Sequence, residues 1–464
     1  MRRTNKWLAL CITSLGSLGA TINASSINIA NPVLAAEFSL TMEQVQWVTT
    51  IYLIMLSSLM LLMGRIGDRV GSHRVYCTGA CIFALGTLLC GFSGGFVALL
   101  GARVIQALGA SMIVATSMGL TSTIFPLKQR GTALGINVLM VGLGSLTGPS
   151  LGGFILSVAP WHMIFFVIVP FACLCALLAA IFLRSPVAPV HNAPPLDKLG
   201  AVILAAIICA LILGMSGGFQ GSRWFFLALL VLIPALIIVE RRQPQPLIEM
   251  SLFKNRRFSM GNMIAFLSYS GNILVSFQIP FFLERVWELP VASAGLLLAT
   301  SALFMALCAP LAGILSDRIG ALRLMPIALV LNATAFFLAL FMPATPIIPL
   351  FVLYLAIAGC GMGLMNTPNN SEIMTAAGRT FSSYASGFVG TNRNLAFCLG
   401  TSASAGLYGM LYGVFGNTAA ADDASMMAFK CILGLALAFM LASLVLCLYL
   451  RRQQRTRPSE EDPS

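Results

Sequence analysis

The sequence predicts an all-α membrane protein, two six-helix bundles plus two inserted helices, with about fourteen membrane-spanning helices in all. Three observations predict it. The 464 residues are 58% hydrophobic and only 9% charged, with a mean hydropathy of +0.92. Apolar runs of about 20 residues, enough to cross a bilayer, recur along the whole chain. One charged motif, G-x-x-x-D-R-x-G, occurs twice between such runs, at 64–71 and 313–320.

Soluble domains average about 25% charged residues, and no water-facing surface could be built from so few charges. The runs lie near 7–31, 43–64, 75–94, 97–124, 130–157, 163–184, 198–216, 222–240, 259–285, 291–315, 322–342, 346–367, 383–412 and 425–451. Segment 1–31 carries Arg2, Arg3 and Lys6 and then turns apolar, which reads as an uncleaved first helix rather than a signal peptide.

Orientation follows from the basic residues. With the N-terminus inside, the outer segments hold only Arg223, Arg285 and Lys430, and Arg103 and Arg393 fall within spans. All other Lys and Arg lie on the inner side, as cytoplasmic loops require. Both termini are therefore expected in the cytoplasm of a cell whose plasma (inner) membrane the chain crosses. The same bias explains the net charge of +12, so no nucleic-acid partner is implied.

The 12 cysteines are scattered singly, mostly in apolar runs, and Cys77 and Cys81 have no histidine beside them. Only three histidines exist, His73, His162 and His191. Neither a metal site nor a catalytic triad is expected, and no cofactor, so the chain does not read as an enzyme. The expected division is a bundle at 1–190, a linker with two extra spans at 191–250, a second bundle at 251–451 and a charged cytoplasmic tail at 452–464.

The duplicated motif suggests two equivalent halves moving against each other, the mark of a transporter built from repeats. In the first copy Asp68 stands among Arg65, Arg69 and Arg74, with Gly64, Gly67 and Gly71 allowing a tight turn and a close helix approach. An aspartate there pairs with arginine or meets the positive end of a helix dipole. Such a contact forms in one conformation and breaks in another, which makes a latch. A merely solvated basic loop is the plainer alternative. The second copy, with Gly313, Asp317, Arg318 and Gly320, weakens that alternative. It lacks the basic tail of His73 and Arg74 and ends in Ala321, Leu322 and Arg323.

In the fifth span, Gly144, Gly148 and Gly152 share one helix face, with Pro149 and Gly153 beside them. Small residues on one face let two helices touch backbone to backbone, and proline bends a helix. The pattern fits an ordinary packing seam or a kinked joint between halves. Arg103 and Arg393 are costly inside a bilayer unless they face a polar cavity or are pinned by backbone carbonyls. No acid falls at the middle of a span. The expected midplane is polar through Asn23, Ser25, Ser26, Asn28, Gln106, Ser268, Tyr269, Ser270 and Asn272, and positive through the two arginines.

These motifs together resemble the major facilitator superfamily, and within it the fourteen-helix drug:proton antiporter group. Segment 64–74 matches that family's loop between the second and third helices. Segment 103–109 is similar to its R-x-x-Q-G-x-G motif, with Ala107 in place of the first glycine. Gly148-Pro149-x-x-Gly152-Gly153 is similar to its fifth-helix antiporter motif. Segments 47–52 and 252–258 add to the likeness. One departure matters. The group usually opens its first-helix segment with an acid, as D-x-x-I-V-N-V-A-L-P, and here that position is Asn23. A second departure puts Glu284 near the end of the ninth span, where relatives often have glutamine. Glu284 is thus the expected proton-coupling candidate.

The resemblance implies a monomeric secondary transporter of a small organic solute in a lipid bilayer, exporting it in exchange for protons. Two arginines with no carboxylate would repel a permanent cation, so a neutral or anionic drug or metabolite is the expected cargo. Loss of the acid at Asn23 leaves open an importer or facilitator of an organic acid or vitamin-like solute. A receptor or channel is the remote alternative.

Overall fold

A computed structural model of the chain describes residues 5–40, 42–45, 47–183, 198–215, 222–242, 249–289, 291–343, 345–378, 380–415 and 421–456. Within helices some side chains fall outside the described set, among them those of Asn28, Pro149 and Glu284. The described chain is helical throughout. In order the helices are α1 (Lys6–Glu37), α2 (Met42–Val45), α3 (Trp47–Val70), α4 (Ser72–Gly91), α5 (Phe96–Ile124), α6 (Leu127–Val158), α7 (His162–Phe182) and α8 (Lys198–Met215). There follow α9 (Ser222–Arg242), α10 (Met250–Lys254), α11 (Arg256–Arg285), α12 (Val291–Ile319), α13 (Ala321–Leu340), α14 (Ile348–Ala377), α15 (Ser382–Phe415) and α16 (Ala421–Thr456).

All except the short α2 and α10 have 18 residues or more. Among the described residues, 9 helices are long and apolar enough to cross a membrane, and shorter apolar stretches lie at Val202–Leu211 and Leu227–Glu240. Large apolar side chains such as Leu230, Val97, Leu296 and Val445 are exposed on the helix surfaces. On a multi-pass membrane protein such residues face lipid, where exposure to an apolar solvent carries no penalty.

The chain divides into two compact units. The first comprises Met1–Met250 with Ala377–Leu395, and the second Ser251–Ala376 with Ala396–Ser464. In the first, α4 packs on α5 and α7, α1 on α6, α3 on α5, and the inserted α8 on α9 and α3. In the second, α16 packs on α11 and α13. Its core is aromatic. Phe282 stacks on Phe429 at 4.6 Å, and Trp287 meets Phe351 edge-on at 5.2 Å.

Several boundaries differ from the sequence-based expectation, α14 among them, and three changes are instructive. α1 continues past Pro32 to Glu37, where the apolar run ends at 31. The backbone follows hydrogen bonds rather than hydropathy, and a single proline inside a packed helix is tolerated. α16 runs to Thr456, so the first residues of the expected tail are helical. Arg451, Arg452 and Gln453 are good helix formers, and basic residues favour a helix C-terminus. Most of the third change is in the charged loops. Residues 64–70 are the last turns of α3, and the turn itself is Gly71, with φ at 105°. The second copy is built alike: α12 runs to Ile319 and Gly320 turns with φ at 91°. Only glycine adopts such angles without strain. Residues 191–197 of the expected linker lie outside the described residues.

Candidate functional site

The first motif copy builds a helix cap out of two distant segments. A helix leaves its first N–H groups without intrahelical partners, and together with the dipole they attract an anion. At the start of α15 the backbone N–H of Ser383 donates to Asp68 Oδ1 at 2.8 Å, and that of Tyr384 donates to Asp68 Oδ2 at 2.8 Å. One carboxylate from the end of α3 thus satisfies two orphan donors. Both segments belong to the first unit.

Glycine makes the approach possible. A Cβ on Gly64 would meet the Ser383 carbonyl oxygen at 2.5 Å and Tyr384 Cα at 3.0 Å. On Gly119 of α5 it would meet Ser383 Cα at 2.9 Å. Ser72 and Ser383 share a hydroxyl hydrogen bond, and the Ser386 hydroxyl donates to the Val114 carbonyl at 3.3 Å. The first turns of α15 therefore sit against α3 and α5.

Arg65 reaches beyond the motif. Its Nη2 donates to Glu249 Oε2 at 2.8 Å, and its guanidinium lies 4.6 Å from the Tyr384 ring centre. The Tyr384 hydroxyl oxygen accepts from the backbone N–H of Glu249 at 3.1 Å. Sequence reasoning missed Glu249 and Tyr384, since both lie far from the motif in the chain. Of the remaining motif residues, Arg69 is half-buried and Arg74 exposed. In the second copy Gly313 is buried, Asp317 half-buried, and Arg318 and Gly320 exposed.

The second cluster surrounds Arg103 in α5, which is fully buried. Its Nε donates to the Val48 carbonyl at 3.1 Å. Its Nη1 donates to Asn23 Oδ1 at 2.8 Å and to Gln106 Oε1 at 2.6 Å. The Tyr52 ring lies 4.4 Å from the guanidinium carbon. Gln106 passes the chain on, its Nε2 donating to the Thr87 hydroxyl at 2.9 Å, and Thr87 donating to the Phe83 carbonyl at 2.6 Å. Because Oδ1 of Asn23 faces the guanidinium, its amide orientation is fixed. The partners shown here are all neutral, and Arg103 Nη2 and Asn23 Nδ2 are buried with no hydrogen-bond partner among the described residues. One carbonyl and two side-chain amides hold the Arg103 guanidinium.

The other expected cavity residues are described each in its own surroundings. Tyr269 and Asn272 belong to the second unit. Tyr269 is buried against Phe397, with ring centres 5.8 Å apart, and Asn272 Nδ2 donates to the Ser268 carbonyl at 3.3 Å. Arg393 is half-buried in α15, while its neighbour Asn394 donates to the Ser57 hydroxyl at 3.1 Å. The side chains of Asn28 and Glu284 lie outside the described residues.

The glycine face of α6 packs on α1 of the same unit. A Cβ on Gly144 would meet Thr21 Cβ at 2.9 Å, and one on Gly152 would meet the Ser26 carbonyl at 2.9 Å. One on Gly148 would collide with the Ser25 hydroxyl, and Gly153 is nearly clear, with Ile29 at 4.0 Å. Ser25 and Ser26 donate to the Gly144 and Gly148 carbonyls at 3.1 and 2.9 Å. These contacts are those of a close-packed helix seam. The Pro149 side chain lies outside the described residues.

A two-unit, multi-pass helical membrane protein with a charged motif repeated in each unit has the build of a solute transporter. The family model of the Major Facilitator Superfamily matches residues 13–401, with a further match at 263–463, and the chain belongs to that superfamily. It is 36% identical over 399 residues to the riboflavin transporter RibZ of Clostridioides difficile, covering 86% of this chain and 87% of that one. It is 27% identical over 411 residues to the multidrug resistance protein Stp of Mycobacterium tuberculosis, covering 86% and 75% respectively. Among solved structures, the human organic anion transporter MFSD10 (TETRAN) superposes with a TM-score of 0.69 at 16% identity, over 94% of this chain and 99% of that one. At that identity the likeness concerns the fold.

Proposed function

We propose that this transporter moves a neutral or anionic small organic solute across the plasma membrane by alternating access, as a monomer with both termini in the cytoplasm and with efflux coupled to protons. The observation that carries the cargo class is the set of partners around Arg103. Asn23, Gln106 and the Val48 carbonyl are all neutral, so the arginine's charge repels a permanent cation nearby. The Asp68 cap supports the gate. It is a contact of high local strength that an opening motion of α15 would have to break. Similarity to Stp and the fifth-helix motif support efflux.

A second reading is import or facilitated passage of a vitamin-like solute. Asn23 favours it, because an amide cannot carry a proton where the family usually has an acid. The similarity to RibZ makes riboflavin, which is neutral, the first cargo to test.

The experiment is flux in proteoliposomes of the full chain, with riboflavin and with the cation tetraphenylphosphonium, with and without an imposed pH gradient. Riboflavin flux without phosphonium flux is expected. Phosphonium flux at a comparable rate overturns the cargo class. Flux that ignores the gradient removes proton coupling and leaves the facilitator reading. Unchanged pH dependence in Glu284→Gln removes Glu284 as the coupling acid.

A further inference from the structure

Glu249, just before α10, is tied to the Asp68 cap. Glu249 is held at two points, by its side chain on Arg65 at 2.8 Å and by its backbone N–H on the Tyr384 hydroxyl at 3.1 Å. Tyr384 therefore serves both sides at once. Its backbone N–H goes to Asp68 and its ring and hydroxyl go to Arg65 and Glu249.

An exposed ion pair contributes little, because water screens it and two long side chains must be ordered. This pair is different in setting. The Arg65 and Glu249 side chains are only 11% and 20% exposed, and the guanidinium also lies on an aromatic face. Partial desolvation strengthens both contacts. The ring that Arg65 and Glu249 grip belongs to the residue whose N–H meets Asp68. Moving Tyr384 off the end of α3 breaks its contacts with Asp68, Arg65 and Glu249 together.

We infer that Glu249 is a positioning residue of the transport cycle, the part of the cytoplasmic latch through which the start of α10 holds the first turn of α15 against α3. It acts through Arg65 and Tyr384. The inference rests on reading the Asp68 cap as a latch.

The test is hydrogen–deuterium exchange by mass spectrometry on the full chain in lipid nanodiscs, which needs no knowledge of the cargo. Glu249→Gln is nearly isosteric. It is expected to raise exchange about tenfold in the peptide holding the Ser383 and Tyr384 amides. The charge swap R65E with E249R is expected to restore protection where either single change loses it. If Glu249→Gln raises exchange only around residue 249 itself, Glu249 merely anchors the linker and the inference is overturned. A charge swap no better than its single changes overturns it as well. Asp68→Asn is the control. If it too leaves the Ser383 and Tyr384 amides protected, the latch reading itself fails, and the inference falls with it.

Discussion

The Asp68 carboxylate and the backbone N–H of Tyr384 meet at 2.8 Å although 316 residues separate them. The contact joins the end of one long helix to the start of another, and the neighbouring Ser383 N–H doubles it. A charged hydrogen bond of this kind contributes about 1.5–3 kcal/mol, and the helix dipole adds to it. The contact must also be reversible if α15 is to move.

Removing that charge tests the cap. Asp68→Asn keeps an acceptor but no longer answers two N–H groups with a full negative charge. The maximal transport rate should fall about tenfold while KM changes less than about threefold, since the loss concerns a conformational step rather than cargo contacts. Initial rates over a range of cargo concentrations check it. A raised KM at unchanged maximal rate would place Asp68 in binding instead.

The glycines of the two motif copies should respond differently. Gly64→Ala places a methyl against the Ser383 carbonyl, a backbone atom that cannot swing aside. Transport should be nearly abolished. Gly320→Ala meets nothing within 4 Å and suffers only from its positive φ. Its cost should be about 1–3 kcal/mol of stability, with substantial transport retained. Equal loss of transport in both variants would contradict the close approach of α3 and α15.

The α1–α6 seam predicts a stability change. Gly148→Ala drives its methyl into the Ser25 hydroxyl, and the Ile22 carbonyl stands 3.0 Å away. Overpacking of this kind costs about 1–3 kcal/mol. Adding Ser25→Ala should recover part of the loss by removing the colliding oxygen. Thermal melting of the purified protein in detergent measures both, and a double variant no more stable than Gly148→Ala would count against the seam.

Restoring an acid beside Arg103 should change two properties at once. Asn23→Asp puts a carboxylate where Oδ1 now accepts from Nη1 at 2.8 Å. Neutralising a buried, uncompensated charge should stabilise the protein by about 1–3 kcal/mol at neutral pH. Transport should also gain a dependence on the pH gradient, and cationic solutes should begin to move. A variant with unchanged melting temperature and unchanged cargo selectivity would show that Arg103 is already compensated.

Much of the helical plan was legible in the sequence because a bilayer forces it. A segment in hydrocarbon must satisfy its own backbone and present apolar side chains, so length and hydropathy alone reveal the long helices. The motif also announced its own chemistry, since an aspartate flanked by glycines at a helix end suits a helix N-terminus. What it met was hidden. Neither Ser383 nor Tyr384 carries a signal, because a backbone N–H is common to almost every residue and its availability depends on where a helix starts. Glu249 looked like one more polar linker residue.

Sequence alone therefore determined the class of protein, its long helices, its repeated motif and the missing acid at Asn23. All of these are properties of residue type and spacing. Tertiary structure decided which partners those residues take. It gave Asp68 a helix start, Arg65 the distant Glu249, the glycine face of α6 a seam with α1, and Arg103 a sealed set of neutral partners. Hydropathy repeats along the chain and can be read from it, whereas a hydrogen bond needs two atoms within about 3 Å, and only the packed helices set that distance.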